Sequence, residues 1–178
     1  METNKLSSAA FNGLLLALVT ILSTLITTVI EPGVAISIIL WIVKLVATVW
    51  LLYYFIREFS KPKENFRYGD GLSYGVLVSF FSAIICACYF FLHLALLFPE
   101  TMNAQMEQVI ESLQSSGGDT SNYEAVMPYI PHITFIVTLF YYTILGLIFS
   151  AIIANYTKKE TFFFGNENQE NNDQNQSI

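Results

Sequence analysis

The sequence predicts an all-α integral membrane four-helix bundle, with a short amphipathic external helix between spans 3 and 4. Hydrophobic residues make up 54% of the 178 residues and charged residues only 12%, which leaves too little polar material to cover a water-soluble globule. In addition, the chain contains four long apolar stretches, each about the length of a helix that crosses a hydrocarbon core of about 30 Å.

The four spans and the tail follow from where apolar runs begin and end. Pro32 and Gly33 separate the first two runs, Pro99 closes the third, and Pro131 precedes the fourth, since proline and glycine interrupt helices. A membrane domain at 1–160 therefore has spans at about 9–30, 34–56, 71–98 and 133–154. Residues 161–178 are mostly Asn, Gln, Asp and Glu and are predicted to be a disordered cytoplasmic tail, because they cannot bury apolar area.

The external segment, residues 99–132, contains the spacing of an amphipathic helix. Its apolar side chains recur at helical spacing, while Glu107 and Glu111 project elsewhere; the apolar set is Met102, Met106, Val109, Ile110 and Leu113. This spacing predicts an amphipathic helix lying on the outer membrane surface.

The positive charges predict the orientation of the spans. Seven of the eight Lys and Arg residues flank one side of a four-span topology: Lys5, Arg57, Lys61, Lys63, Arg67, Lys158 and Lys159. Because Lys and Arg hold flanking segments in the cytoplasm, both termini are predicted to be cytoplasmic in a multi-pass inner-membrane protein. A cleaved signal peptide is the disfavoured alternative for the first span, since its 22 apolar residues exceed a usual signal core and no A-x-A site follows.

Lys44 is a charge midway along the second span. A central Lys costs about 2.5 to 3.5 kcal/mol on insertion. It shares a helical face with Ser37, Ala47 and Thr48, and the threonine-rich face of the first span offers further acceptors, so its ammonium is expected to face the bundle interior. Two roles remain open for this candidate intramembrane charge site: proton or anion handling, or a Lys that only sets packing.

Small residues recur every four positions on the third and fourth spans. The candidate packing face consists of Gly75, Ser79, Ala83, Gly146, Ser150 and Ala154. Such stripes allow two helix backbones to approach closely in lipid. They are expected to pack within the chain or, alternatively, at a seam with a second copy or another membrane protein.

The sequence contains no motif of a known catalytic or cofactor site, so neither an enzyme nor a bound cofactor is expected. His93, His132 and Glu100 are weak candidates for a metal site, and we favour histidines at the membrane interface. Cys86 and Cys88 lie two residues apart on a helix, so their thiols should point to different faces. The formal charge of −6 disfavours a nucleic-acid partner, and the lipid bilayer is the expected partner.

Three stretches carry a resemblance to a known family. They are Gly71-Leu-Ser-Tyr-Gly75 at the entry to the third span, Met102 to Leu113, and Gly146 to Ala154 followed by Lys158-Lys159. With these motifs the chain resembles the family called domain of unknown function 4199, from about the first span to Lys159. The resemblance implies a small integral membrane protein of Bacteroidota-type bacteria without an assigned activity.

Two functional hypotheses follow. The leading one is a non-catalytic accessory or assembly subunit that acts through helix–helix packing, with itself or with another membrane protein. The alternative is a small transporter, or a proton- or anion-handling membrane unit, that uses Lys44. Many carriers contain an inverted repeat and a helix that is broken in mid-membrane. The four predicted spans show neither feature.

Overall fold

The computed structural model describes residues 2–30, 32–117 and 127–159. In these residues a π-helical turn, His93–Leu97, continues α3, and a 3₁₀ turn, Met127–Tyr129, precedes α5. The α-helices are α1 (Glu2–Ile30), α2 (Val34–Ser60), α3 (Tyr68–Leu92), α4 (Pro99–Ser115) and α5 (Ile130–Thr157). The predicted tail at 161–178 lies outside the described residues.

Four helical segments are long and apolar enough to cross a membrane: Asn4–Ile30, Val34–Ser60, Tyr68–Leu97 and Ile130–Thr157. Together with the shorter α4 they confirm the predicted all-α membrane bundle. The chain is a multi-pass membrane protein.

The helices extend beyond the apolar runs from which the spans were predicted. For example, α1 begins at Glu2 and α2 continues to Ser60, several residues past the predicted limits at 9 and 56. An apolar run measures only the part of a helix that lies in hydrocarbon. Polar and charged side chains at the helix ends reach water, so the helix itself can continue.

The predicted third run, 71–98, is not one regular α-helix. The N–H of Phe98 donates to the carbonyl of His93 at 2.8 Å, a bond that spans five residues and widens the last turn. Phe98 itself has φ −140° and ψ 65°, because the following Pro99 disfavours a helical conformation at this position. The proline therefore ends α3 through a π-helical turn and begins α4 at a new angle.

α4 falls where the external amphipathic helix was predicted. Met106 and Ile110 are partly buried and Val109 is exposed, so only part of the predicted apolar face contacts the rest of the protein. The side chains of Met102 and Leu113 lie outside the described part of the chain.

The bundle is built around the antiparallel pair of α3 and α5, which make the most extensive helix–helix contact. α1 packs on α3, and α2 is more peripheral. In α2, residues 34–50 include no buried side chain, whereas Leu52, Phe55 and Ile56 belong to the core. The second half of α2 is therefore packed into the core, whereas its first half contacts the bundle only through partly buried side chains.

One end of the bundle, here called the terminal end, contains Lys5, the α2–α3 connector and Lys159; the opposite end is called the α4 end. At the terminal end Tyr74 is fully buried. Its hydroxyl accepts a hydrogen bond from Nδ2 of Asn12 at 2.7 Å and lies 2.8 Å from Oγ of Ser8. The ring of Phe59 stacks on Tyr74 with centroids 3.8 Å apart, so an aromatic layer closes this end.

Lys159 fastens the end of α5 to the α2–α3 connector. Its backbone N–H donates to the carbonyl of Phe66 at 2.8 Å, in an isolated antiparallel β-bridge. Its ammonium donates to the carbonyls of Ser60 at 2.9 Å and Lys63 at 3.2 Å. A cation at the last carbonyls of α2 also suits the negative end of the helix dipole.

Candidate functional site

The small residues of α3 and α5 face one another in an antiparallel register. A Cβ placed on Gly75 would lie 2.5 Å from Oγ of Ser150, and one placed on Gly71 would lie 3.2 Å from Cβ of Ala154. One turn further along, a Cβ on Gly146 would overlap Ser79. The two backbones thus approach as closely as the missing Cβ atoms permit.

The packing face therefore lies between α3 and α5 of one chain. Ala83, one turn beyond Ser79, is fully buried as well. We define these contacts, from Gly71 to Ala83 on α3 and from Gly146 to Ala154 on α5, as the small-residue seam. It positions the side chains that line the cavity described next.

Two buried hydroxyls of this seam, Ser79 Oγ and Ser150 Oγ, have no hydrogen-bond partner in the described residues. A buried hydroxyl without a partner costs about 1 to 3 kcal/mol. Serine in a membrane helix commonly avoids this cost by bonding to the preceding turn, as Ser23 does with the carbonyl of Val19. Ser79 and Ser150 differ from Ser23 because their hydroxyls form no such bond.

Ser79 lines a cavity of about 170 Å³ in the middle of the bundle, and so does Lys44. The cavity, here called the Lys44 cavity, lies between α1, α2, α3 and α5. Its polar side chains are Thr20, Lys44, Thr48, Ser79, Ser82, Tyr141 and Tyr142. Lys44 lies in the first half of α2, about two helical turns before Leu52, the first buried residue of this helix, and lines the cavity from there.

Three hydrogen-bond donors of this cavity are left without a partner. Among the described residues, no hydrogen bond or ion pair is formed by the ammonium of Lys44, the hydroxyl of Ser79 or the phenol of Tyr142. Thr48 differs, since its hydroxyl donates to the carbonyl of Lys44 at 2.8 Å. Because Oγ of Ser79 has almost no accessible surface, the donors that can reach a ligand in this cavity are the ammonium of Lys44 and the phenol of Tyr142. One cation and one free O–H donor suit an acceptor with negative charge.

Two further cavities lead from Lys44 towards the α4 end. The first has a volume of about 170 Å³ and shares Trp41 and Lys44 with the Lys44 cavity. The second, about 360 Å³ in volume, shares Thr24 and Thr27 with the first. Its other lining residues are Thr28, Phe90, His93, Leu94, Met106, Ile130, Thr134 and Thr138.

The hydroxyls of α1 beside these cavities are bonded to their own helix. Thr24 donates to the carbonyl of Thr20 at 3.0 Å, and Thr28 to that of Thr24 at 2.9 Å. Their hydrogens are therefore used, and their oxygen lone pairs remain as acceptors. On α5, the hydroxyls of Thr134 and Thr138 form no hydrogen bond within the described residues, so they remain available as donors.

The histidines do not converge. His93 is buried, with Nδ1 3.2 Å from the hydroxyl of Tyr89, whereas His132 is exposed and meets the ring of Phe91 edge-on. In the part of the chain that is described, no three His, Cys, Asp or Glu side chains are grouped to hold a metal ion. Cys86 is buried and Cys88 exposed, which places the two thiols on different faces of α3.

A family model described as a protein of unknown function (DUF4199) matches residues 11–159. The chain belongs to this family. Comparison with curated proteins and with solved structures finds no match. Membership in DUF4199 thus assigns the chain to a family, but it does not indicate an activity for the Lys44 cavity.

The contact between α1 and α3 of this DUF4199 chain was not predicted from the sequence. A Cβ on Gly13 would lie 2.7 Å from Cβ of Phe81 and 2.8 Å from the carbonyl oxygen of Val78. The signal was present, because Ala9, Gly13 and Ala17 have the same four-residue spacing as the two predicted stripes. Tyr142 was not predicted either, because nothing in the sequence distinguishes its phenol from an aromatic residue at the lipid surface.

Proposed function

We propose that this DUF4199 protein is a non-catalytic membrane protein that binds small anions at Lys44, as the binding unit of a small transporter or anion-handling system. The observation that carries the proposal is one cavity lined by Lys44 and Tyr142, neither of whose side chains has a hydrogen-bond partner in the described residues. An intramembrane charge is costly and commonly marks an ion or substrate pathway.

The charge of Lys44 favours an anion over a neutral or cationic ligand in this cavity. Insertion of a central Lys costs about 2.5 to 3.5 kcal/mol, and a unit charge of opposite sign at 4 Å contributes about 4 kcal/mol at an effective dielectric constant of 20. This attraction acts against the cost of burying Lys44 and the cost of dehydrating the anion. The cavity volume of about 170 Å³ corresponds to about six water molecules, so an anion of a few non-hydrogen atoms fits.

Trp41 provides the test, because its ring lines the Lys44 cavity. The chain has two tryptophans, so Trp50→Phe leaves Trp41 as the only indole. We expect titration of this variant with nitrate, chloride or acetate, at constant ionic strength in lipid nanodiscs, to change the Trp41 emission in a saturable way.

The matched pair of variants is Lys44→Met and Lys61→Met. Both remove one ammonium and retain an unbranched side chain, but Lys61 is exposed and paired with Glu58 at 2.6 Å. We expect Lys44→Met to lose the saturable response and Lys61→Met to retain it. A response of equal size in both variants, or none in the parent protein, would contradict the proposal. Uptake of the same anion into proteoliposomes then tests transport.

An accessory or assembly role is the second candidate, and one observation favours it. No residue of the apolar stretch that qualifies α2 as a span is buried within the chain, so the outward face of the first half of α2, which includes Val43, is open to a second membrane chain. A photo-crosslinking side chain at Val43, which is 58% exposed, tests this role. One discrete protein adduct in native membranes would support it, and adducts with lipid alone would count against it.

For location we propose the cytoplasmic membrane of a bacterium, with both termini in the cytoplasm. The distribution of positive charge supports this orientation, since seven of the eight Lys and Arg residues flank the terminal end of the bundle and cytoplasmic flanks are rich in these residues.

A further inference from the structure

We propose that small monovalent anions reach Lys44 from the α4 end alone, through a passage formed by the two threonine-lined cavities. This inference rests on the proposed anion binding at Lys44 and adds the charge of the ligand and its direction of entry. It follows from three features of the described residues: the shared walls of the cavities, the closure of the terminal end, and the single intramembrane charge.

The shared lining residues place the three cavities next to one another, in a row that the proposed passage follows. Lys44 lines both the central cavity and the next one, and Thr24 and Thr27 line both that one and the largest. The passage thus runs along α1 from Lys44 to the π-helical turn at His93–Leu97, where α4 begins. Local π-helical geometry is often found at functional sites, and here it widens the bundle where the largest cavity lies.

The walls of the passage suit a hydrated anion. Thr134 and Thr138 on α5 retain free O–H donors, which can bond to the anion itself. The α1 threonines present lone pairs, which can accept hydrogen bonds from the water that accompanies it. An anion would therefore shed its hydration only where it meets the ammonium of Lys44.

The terminal end is closed by tight packing. Phe59 and Tyr74 stack there, and Leu52, Ile56 and Phe66 are all at most 2% exposed. In addition, the small-residue seam leaves no space for a single added methyl group at Gly75. A solute in the Lys44 cavity therefore cannot move towards the terminal end unless these side chains separate.

One charge at the site indicates a monovalent ligand. Lys44 is the only Lys, Arg, Asp or Glu within the four apolar runs of the sequence. It can neutralise one negative charge, and a divalent anion would leave a net charge in a low-dielectric interior, which is costly.

The test adds one cysteine at a time to α5 of the Trp50→Phe protein. Thr138→Cys lies in the passage, whereas Thr143→Cys is a control: Thr143 is also a half-buried threonine of α5, but it lines none of the cavities described and its hydroxyl donates to Leu139. Each variant is treated with an anionic sulfonate-bearing thiosulfonate and with a cationic trimethylammonium analogue. Intact-protein mass follows the reaction, and the parent protein with its native thiols gives the background rate.

We expect Thr138→Cys to react faster than the control, and about tenfold or more faster with the anionic reagent than with the cationic one, because Lys44 attracts negative charge. Adding Lys44→Met should remove this charge preference. Once modified, Thr138→Cys should lose the nitrate response of Trp41, because the bulky group blocks the passage.

Two results would overturn the route while leaving anion binding intact: a Thr138→Cys rate no higher than that of Thr143→Cys, or an unchanged Trp41 response after complete modification. Absence of any nitrate response before modification, in the parent as well, would instead refute the proposed function on which the route depends.

Discussion

Gly146 is the position at which the small-residue seam can be tested most sharply. A Cβ added there would overlap both Cβ and Oγ of Ser79. The hydroxyl can rotate away, but Cβ is fixed to the backbone of α3, so α3 and α5 must move apart. We therefore expect Gly146→Ala to destabilise the bundle although alanine is the better helix former.

The magnitude follows from two opposing terms. Replacing a helical glycine by alanine gains up to about 1 kcal/mol in helix propensity, whereas one extra carbon in a well-packed core costs about 1 to 3 kcal/mol. Gly69→Ala isolates the first term, because Gly69 is also helical and a Cβ added to it would have no neighbour within 4 Å. The two variants should therefore differ by about 1 to 3 kcal/mol, or roughly fivefold to 150-fold in the unfolding equilibrium.

The assay is reversible unfolding of both variants in mixed micelles of increasing sodium dodecyl sulfate content, followed by circular dichroism. Removing the obstacle should restore stability, so Gly146→Ala combined with Ser79→Gly is expected to be more stable than the sum of the single changes predicts. Equal stability of Gly146→Ala and Gly69→Ala, or simple additivity with Ser79→Gly, would refute the direct contact across the seam.

Three further outcomes are expected. Tyr74→Phe keeps the stacked ring but loses the bond from Asn12, which should lower the free energy of unfolding by about 0.5 to 1.5 kcal/mol in the same assay. An unchanged free energy of unfolding would contradict this hydrogen bond in the folded bundle. Lys159→Met removes the donor to the α2 carbonyls and should speed proteolysis of the α2–α3 connector in inside-out vesicles, and an unaltered rate would contradict this fastening. In intact cells an impermeant thiol reagent should label Ser115→Cys but not Glu64→Cys, and the reverse pattern would show the opposite orientation.

The sequence predicted four membrane-spanning helices because it records where apolar runs stop. Pro32 and Pro99 interrupt helices because of their covalent structure, and this effect does not depend on distant parts of the chain. The π-helical turn at His93–Leu97 was not predicted, because a proline specifies that a helix ends but not how its last turn relaxes. Likewise, the helix ends outside the hydrocarbon carry no hydropathy signal.

The site was only partly predictable. Lys44 stands out because a charge within an apolar run is rare, and the glycine and serine stripes stand out by their spacing. Ser79 was recognised as a packing residue only, and its neighbour Tyr142 was not recognised at all. When a span is apolar on every side, its sequence does not indicate which side faces the bundle. The side chains that meet in a cavity between four helices therefore could not be predicted from sequence periodicity.

The β-bridge between Phe66 and Lys159 restricts how this protein can move. α3 and α5 are locked by the small-residue seam along their length, and the bridge ties the start of one to the end of the other. Sliding α5 by one helical turn, about 5.4 Å, would break both attachments at once. The α3–α5 pair should therefore behave as a rigid frame with α1 packed on it, and any opening of the Lys44 cavity should come from a hinge-like swing of the more peripheral α2.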